Sequence, residues 1–238
     1  MIDFDDRVST LAQRLKLPTF MAYKEFIKPG AAFNENLAAL LGEEDARRNN
    51  AAVQRRIRQA GFPVPKSVNT FKRRLPHLRQ ETVDELATCK FVAKKTNICA
   101  LGPAGTGKTH LMTAIATEAI LKGYTVRFFR VYDLLVRMSE AKSEKRLDAF
   151  NTALKKCDVL CLDELGYVNV NSKNSEMLFN VVAGRHEIGS TYITSNFEFS
   201  KWSGFLGNPT MTSALIEKLT QNSLILNMNG EPYRPDTE

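Results

Sequence analysis

Apolar positions follow two different rhythms along this chain. From about Val8 to Ala60 they recur at helical spacing, as at Phe33, Leu37, Leu40 and Leu41, among residues that favour helices. Pro29-Gly30 interrupts the stretch once, and Gly61-Phe62-Pro63-Val64-Pro65 closes it with residues that resist helix continuation and favour an extended path. The pattern predicts a small N-terminal all-α domain over residues 1–62, a basic linker reaching to about residue 80, and a second domain over residues 63–238. In that second region short apolar runs alternate with longer helical stretches. Strands are predicted at Ile98–Leu101, Thr125–Phe129, Val159–Leu162, Thr191–Thr194 and Leu224–Met228. Helices are predicted at Lys108–Leu121, Leu134–Lys156, Ser175–Glu187 and Thr212–Thr220. Strands separated by helices of this length require crossover connections, so an α/β fold with a mainly parallel sheet, covered by helices on both faces, is expected.

Between the first predicted strand and its helix lies Gly102-Pro103-Ala104-Gly105-Thr106-Gly107-Lys108-Thr109, which satisfies G-x-x-x-x-G-K-[ST] in the strand-loop-helix context that motif needs. Glycines let such a backbone curl around phosphates, and the helix that follows adds the positive end of its dipole. Lys108 is expected to contact the β- and γ-phosphates of ATP, and Thr109 to bring a hydroxyl to Mg²⁺. Asp158–Leu162 forms an apolar run that ends in Asp163 and Glu164. Asp163 is the expected metal-side carboxylate, and Glu164 the group that orients the attacking water. Thr191–Asn196 also ends in polar side chains; Asn196 is read either as a hydrogen-bonding partner of the γ-phosphate or water, or as a simple turn former.

Composition narrows the remaining possibilities. With 238 residues, 43% hydrophobic and 25% charged, the chain can build a sizeable core. Asp3, Asp5, Asp6 and Arg7 break up any leader-like apolar run, and no segment reaches the ~18 apolar residues of a membrane span, so a soluble cytoplasmic protein without membrane association is expected. Cys89, Cys99, Cys157 and Cys161 lack CxxC spacing, and His77, His110 and His186 are scattered, so free thiols are expected and no zinc-type cluster.

The motifs together resemble the AAA+ ATPases, and within them the IstB-like transposition helper ATPases, relatives of the DnaC-like helicase loaders. The resemblance spans nearly the whole chain. It rests on Gly102–His110 (GPAGTGKTH), Asp163–Tyr167 (DELGY), Gly189–Asn196 (GSTYITSN), Phe199–Trp202 with Gly207-Asn208-Pro209, and Gly230–Arg234 (GEPYR), and extends to Leu15–Met21 and Arg55–Pro65. It implies a P-loop core of the ASCE type, a nucleotide site running from Gly102 through His110, Asn196 as a first sensor and Arg234 as a second. Four residues follow Arg234, so no separate C-terminal lid is expected. The family offers an arginine across the subunit interface where this chain has Lys218. Lysine keeps the charge but loses the planar two-pronged geometry, and it is read either as a weaker trans cation or as an ordinary solvated helix charge.

Charge completes the reading. Lys+Arg total 33 against 26 Asp+Glu, giving +7 and a pI near 9.2. Much of the excess lies between Arg47 and Gln80, where Arg47, Arg48, Arg55, Arg56, Arg58, Lys66, Lys72, Arg73, Arg74 and Arg79 occur without any Asp or Glu. Such a run, with Phe62 and Phe71 among the charges, suits a phosphate-tracking DNA surface, or else a basic tail for a protein partner. The resemblance implies a DNA-binding ATPase that forms a homo-oligomer on duplex DNA and directs a partner transposase. A DnaC-like loader gripping a replicative helicase is the alternative. No separate acidic triad for strand transfer is found beside Asp163 and Glu164, which are committed to the nucleotide, so the chain itself is not expected to be a transposase.

Overall fold

The computed structural model describes residues 3–71, 75–167 and 170–232. The chain divides by internal packing into two compact units, Met1–Arg55 and Arg56–Glu238. The first contains α1 (Phe4–Leu15), α2 (Pro18–Met21) and most of α3 (Phe33–Ala60). The division therefore falls inside α3, five residues before the helix-breaking segment that opens at Gly61. Asp3 caps α1 by accepting from the Asp5 amide at 2.9 Å, and Lys16, at φ +56°, turns the chain out of it. Gly30, at φ +84°, lies in the interruption before α3. Within this unit Glu44 is buried and accepts from the Thr19 amide at 3.1 Å and from Arg48 Nε at 2.8 Å. Arg48 also donates to the Lys16 carbonyl at 3.0 Å, so this arginine already serves the packing of its own unit.

The second unit opens with α4 (Gln80–Ala87) and α5 (Lys90–Ala93), and then alternates strand and helix. In order come β1 (Asn97–Leu101), α6 (Lys108–Leu121), β2 (Val126–Arg130), α7 (Val131–Ser143), α8 (Leu147–Lys156), β3 (Val159–Leu165) and α9 (Ser172–Ala183). They are followed by β4 (Ser190–Ser195), α10 (Trp202–Leu206), α11 (Pro209–Thr220) and β5 (Ser223–Asn227). All four strand pairings are parallel, in the order β2-β3-β4-β1-β5. Every residue of β1 and β4 is buried, as expected of central strands covered on both faces. One face packs Cys99, Leu160, Leu162 and Ile193 against α7, α9 and α11, whereas α6 lies across β3 and β4 on the other. This is the α/β arrangement expected from the sequence.

Three details depart from the expected elements. The helix anticipated over Leu134–Lys156 is two, because Lys145 adopts φ +57° between α7 and α8. The third strand runs on to Leu165, past the expected end at Leu162, through a bulge: Leu162 pairs with Ile193 and Leu165 with Ser195, so β3 carries one extra residue there. Glu164, at φ +62°, sits in that bulge. α4, α5 and α10 are too short to declare themselves by periodicity.

A buried arginine locks the lower end of the sheet. Arg185 is 1% exposed and donates to the carbonyls of Cys157 (2.9 Å), Asp158 (3.3 Å) and Ser190 (2.8 Å), and also to that of Leu154. These acceptors belong to the end of α8, the entry to β3 and the start of β4. One planar five-donor group thus ties three chain segments together through their carbonyls, and that of Asp158 also takes the Ser190 amide at 2.9 Å.

Candidate active site

The phosphate loop follows β1 directly. Gly102 is packed so closely against the next strand's exit that a Cβ there would lie 2.6 Å from the Met228 carbonyl carbon and 2.7 Å from its oxygen. No other residue fits without moving that backbone. The chain then passes Pro103 and Ala104 to Gly105 at φ +78°; Thr106 is buried, with its hydroxyl donating to the Pro103 carbonyl at 3.0 Å. Gly107, at φ +92°, leads into α6 with no side chain capping the helix. The first-turn amides of α6 are thereby left for an anion at its N-terminus.

Lys108 folds back over this loop and is 7% exposed, donating through Nζ to the carbonyls of Gly102 at 2.7 Å and Pro103 at 2.6 Å. Burial pulls its pKa down to about 8, while the nearby Asp163 and Glu164 carboxylates hold it up. Thr109 Oγ1 lies 2.9 and 3.0 Å from the two carboxylate oxygens of Asp163. Asp163 is buried and accepts a further bond from Thr194 Oγ1 at 2.6 Å. That same hydroxyl accepts from the Glu164 amide at 3.0 Å, so Thr194 spans both acidic residues of the bulge. Strand order makes this possible, since β4 lies between the loop-bearing β1 and the acidic β3.

Glu164 points elsewhere from its neighbour. Its carboxylate is partly exposed, lies 3.5 Å from Arg130 Nε at the end of β2, and borders a cavity of about 380 Å³ with Tyr132 and Tyr167. Asn196 is exposed just beyond β4 and borders a different cavity of about 400 Å³, together with Gly102, Pro103 and Lys201. His110 is engaged away from the loop: its Nε2 lies 2.9 Å from Thr70 Oγ1, and its ring meets Phe71 edge-on at 5.7 Å. Burial and the charge of Lys66 lower its pKa.

Residues 102–109, Asp163, Glu164 and Asn196 are thus gathered at one end of the sheet. Lys218 is not. It lies on α11 beside the start of β1, where the Asn97 carboxamide donates to the Leu219 carbonyl at 3.1 Å and reaches that of Lys218 at 3.5 Å. Arg234, Lys72, Arg73 and Arg74 lie outside the described residues. Arg47, Arg55 and Arg58 are exposed on α3, as is Arg48, which carries the ion pair to Glu44; Arg56 is half-buried. Two contacts of the site were missed in the sequence, Arg130 and Thr194. Both stand at strand ends on the loop's side of a parallel sheet, where a polar residue after an apolar run is itself a signal.

Residues 10–238 match the family described as IstB-like ATP binding protein. The chain belongs to that family. Relatives include proteins named as the ATP-binding protein of insertion sequence IS5376 from Geobacillus stearothermophilus and that of IS21 from Pseudomonas aeruginosa. The first is 32% identical over 96% of this chain and 94% of its own. The second is 32% identical over 95% and 88%. Among solved structures, the DnaC helicase loader superposes on the IstB-like chain with a TM-score of 0.59, at 21% identity over 68% of this chain and 95% of that one. At that identity the likeness speaks for the fold alone, which is the AAA+ P-loop fold. Among the described residues of this IstB-like protein no helix is long and apolar enough to cross a membrane, and no group of three or more His, Cys, Asp or Glu could hold a metal ion. All four cysteines are free and buried.

Proposed function

We propose that this protein is an ATP-hydrolysing helper of transposition that assembles on duplex DNA in its ATP-bound form and acts through a partner transposase. The observation that carries the proposal is membership of the IstB-like family, whose relatives are named as insertion-sequence ATP-binding proteins, together with the convergence of Lys108, Thr109 and Asp163 at one loop and Glu164 next in the chain. In this reading Lys108 exchanges the carbonyls of Gly102 and Pro103 for phosphate oxygens, which favour the charge that burial disfavours. The hydroxyl of Thr109 and the carboxylate of Asp163 form an all-oxygen donor pair, suited to a hard cation whose remaining positions are filled by phosphate and water. Mg²⁺, when bound, neutralises charge on the phosphates. Glu164 orients the attacking water once it leaves Arg130, and Asn196 holds the γ-phosphate or that water from the end of β4.

Lys218 stands at the far end of β1 from its own loop, a position that suits service to a neighbouring copy. Arg234 takes the role of a second sensor. The exposed arginines of α3 supply contacts to DNA phosphates. The test is size-resolved binding to a long duplex with ATP, with ADP and without nucleotide. A large complex formed only with ATP is expected. If no duplex complex forms in any nucleotide state, the transposition reading fails, and capture of a replicative helicase becomes the reading to pursue.

A further inference from the structure

The end of the sheet opposite the phosphate loop carries a further concave feature. A cavity of about 160 Å³ lies where the last turn of α3, the start of β2 and the end of α8 meet, bordered by Arg56, Gln59, Thr125, Arg127 and Lys156. Three of these are cations, and no carboxylate borders the cavity. The acid nearest in sequence, Asp158, is turned onto Thr125, accepting from its amide at 2.8 Å and its hydroxyl at 2.7 Å. Arg127 is held in place by donating to the Gln59 carbonyl in the last turn of α3, while Arg56 and Lys156 take part in none of the ion pairs among the described residues. Like charges converging on a small cavity repel one another, and an anion relieves that repulsion.

We propose that this notch holds one backbone phosphate of duplex DNA, gripped by Arg56 and Lys156 with Arg127 between them. The inference rests on the DNA-binding reading above and adds residues that the Arg47–Gln80 run does not contain. A DNA phosphate is favoured over a carboxylate partner because Arg56 belongs to a run rich in Arg and Lys without acids, in a chain of net charge +7. Phosphate contacts carry no base information, so the contribution is the same for every sequence.

The experiment measures duplex affinity of the full chain with ATP at several salt concentrations. It compares the native protein, the double variant Arg56→Gln/Lys156→Gln, and a charge-matched control Lys122→Gln/Lys173→Gln, with circular dichroism to establish that each is folded. Loss of one neutralised phosphate lowers the slope of log K against log salt by about 0.9, and affinity at fixed salt falls roughly fivefold to tenfold, equally on unrelated duplexes. The control keeps the native slope. If the double variant keeps the native slope, or the control falls as far as the double variant, the notch is not a DNA contact. If the native protein binds no duplex at all, the DNA-binding reading fails and the notch falls with it.

Discussion

Lys108 offers a quantitative test of how the phosphate loop works. Lys108 is 7% exposed and its pKa is drawn down to about 8 by burial, against the upward pull of Asp163 and Glu164. It is therefore charged below about pH 8 and neutral above. Phosphate oxygens arriving beside Nζ favour the charged form and lift the pKa of the complex, so nucleotide binding takes up a proton whenever the pH lies above about 8. Affinity is then level through neutral pH and declines above it, by ~2-fold at pH 8, ~10-fold at pH 9 and ~30-fold at pH 9.5. Calorimetric titration with a non-hydrolysable ATP analogue, at fixed Mg²⁺ and ionic strength, measures this directly. The variant Lys108→Arg removes the titration, because guanidinium stays charged throughout the range; its affinity is lower but level with pH. A native dissociation constant that changes less than about twofold between pH 7 and pH 9.5 would refute the argument. So would a Lys108→Arg variant with the same decline, since another group would then be titrating.

Other consequences are direct. Replacing Arg185 with Met removes a buried donor from the carbonyls of Cys157 and Ser190 and leaves that of Asp158 with the Ser190 amide alone; thermal unfolding is expected to register a loss of about 3–5 kcal/mol, or roughly 10 °C, and a loss under about 1 kcal/mol would show that water repairs the site. Gly102→Ala forces a methyl against the Met228 carbonyl, so ATP affinity should drop about tenfold to a hundredfold in equilibrium binding, and an unchanged value would mean that the β5 exit yields freely. Glu164→Gln should bind ATP within about twofold of native while turnover falls at least ~100-fold, and a retained turnover rate would remove Glu164 from the chemistry. Arg130→Ala should alter kcat and leave ATP affinity in place, because its ion-pair contact is with Glu164 rather than the loop; a change confined to affinity would contradict that.

What the sequence disclosed and what it concealed divide along physical lines. β1, β4 and α6 were legible because burial on both faces, or a glycine-rich lead into a helix, leaves an unmistakable pattern of residues. The loop was legible for a related reason, since the close approach at Gly102 and the positive φ of Gly105 and Gly107 restrict what residue can stand there. The bulge in β3 was hidden: one extra residue alters pairing without altering hydrophobicity, so Asp163 and Glu164 read as a strand's end rather than as part of it. The break at Lys145 was hidden as well, because a single left-handed lysine between two amphipathic helices carries no glycine to announce it. Arg130 and Thr194 required knowing that β2, β3 and β4 are adjacent, and spatial neighbours are not written in linear order. His110, which the resemblance includes in the nucleotide site, has a ring nitrogen on Thr70, a contact forty residues away in sequence that no motif announces.

Thr194 has a single proton to give, and it gives it to Asp163 at 2.6 Å, leaving a lone pair for the amide of Glu164 at 3.0 Å. The hydroxyl is therefore a rotor whose direction is fixed from both sides. Turned the other way, it would set two donors against each other at Glu164 and take its proton away from Asp163. Replacing Thr194 with Val removes both bonds at once and leaves the Glu164 amide without this acceptor. What happens at the acid beside Thr109 is in this way legible at Glu164 through one hydrogen atom, with no helix or domain having to move.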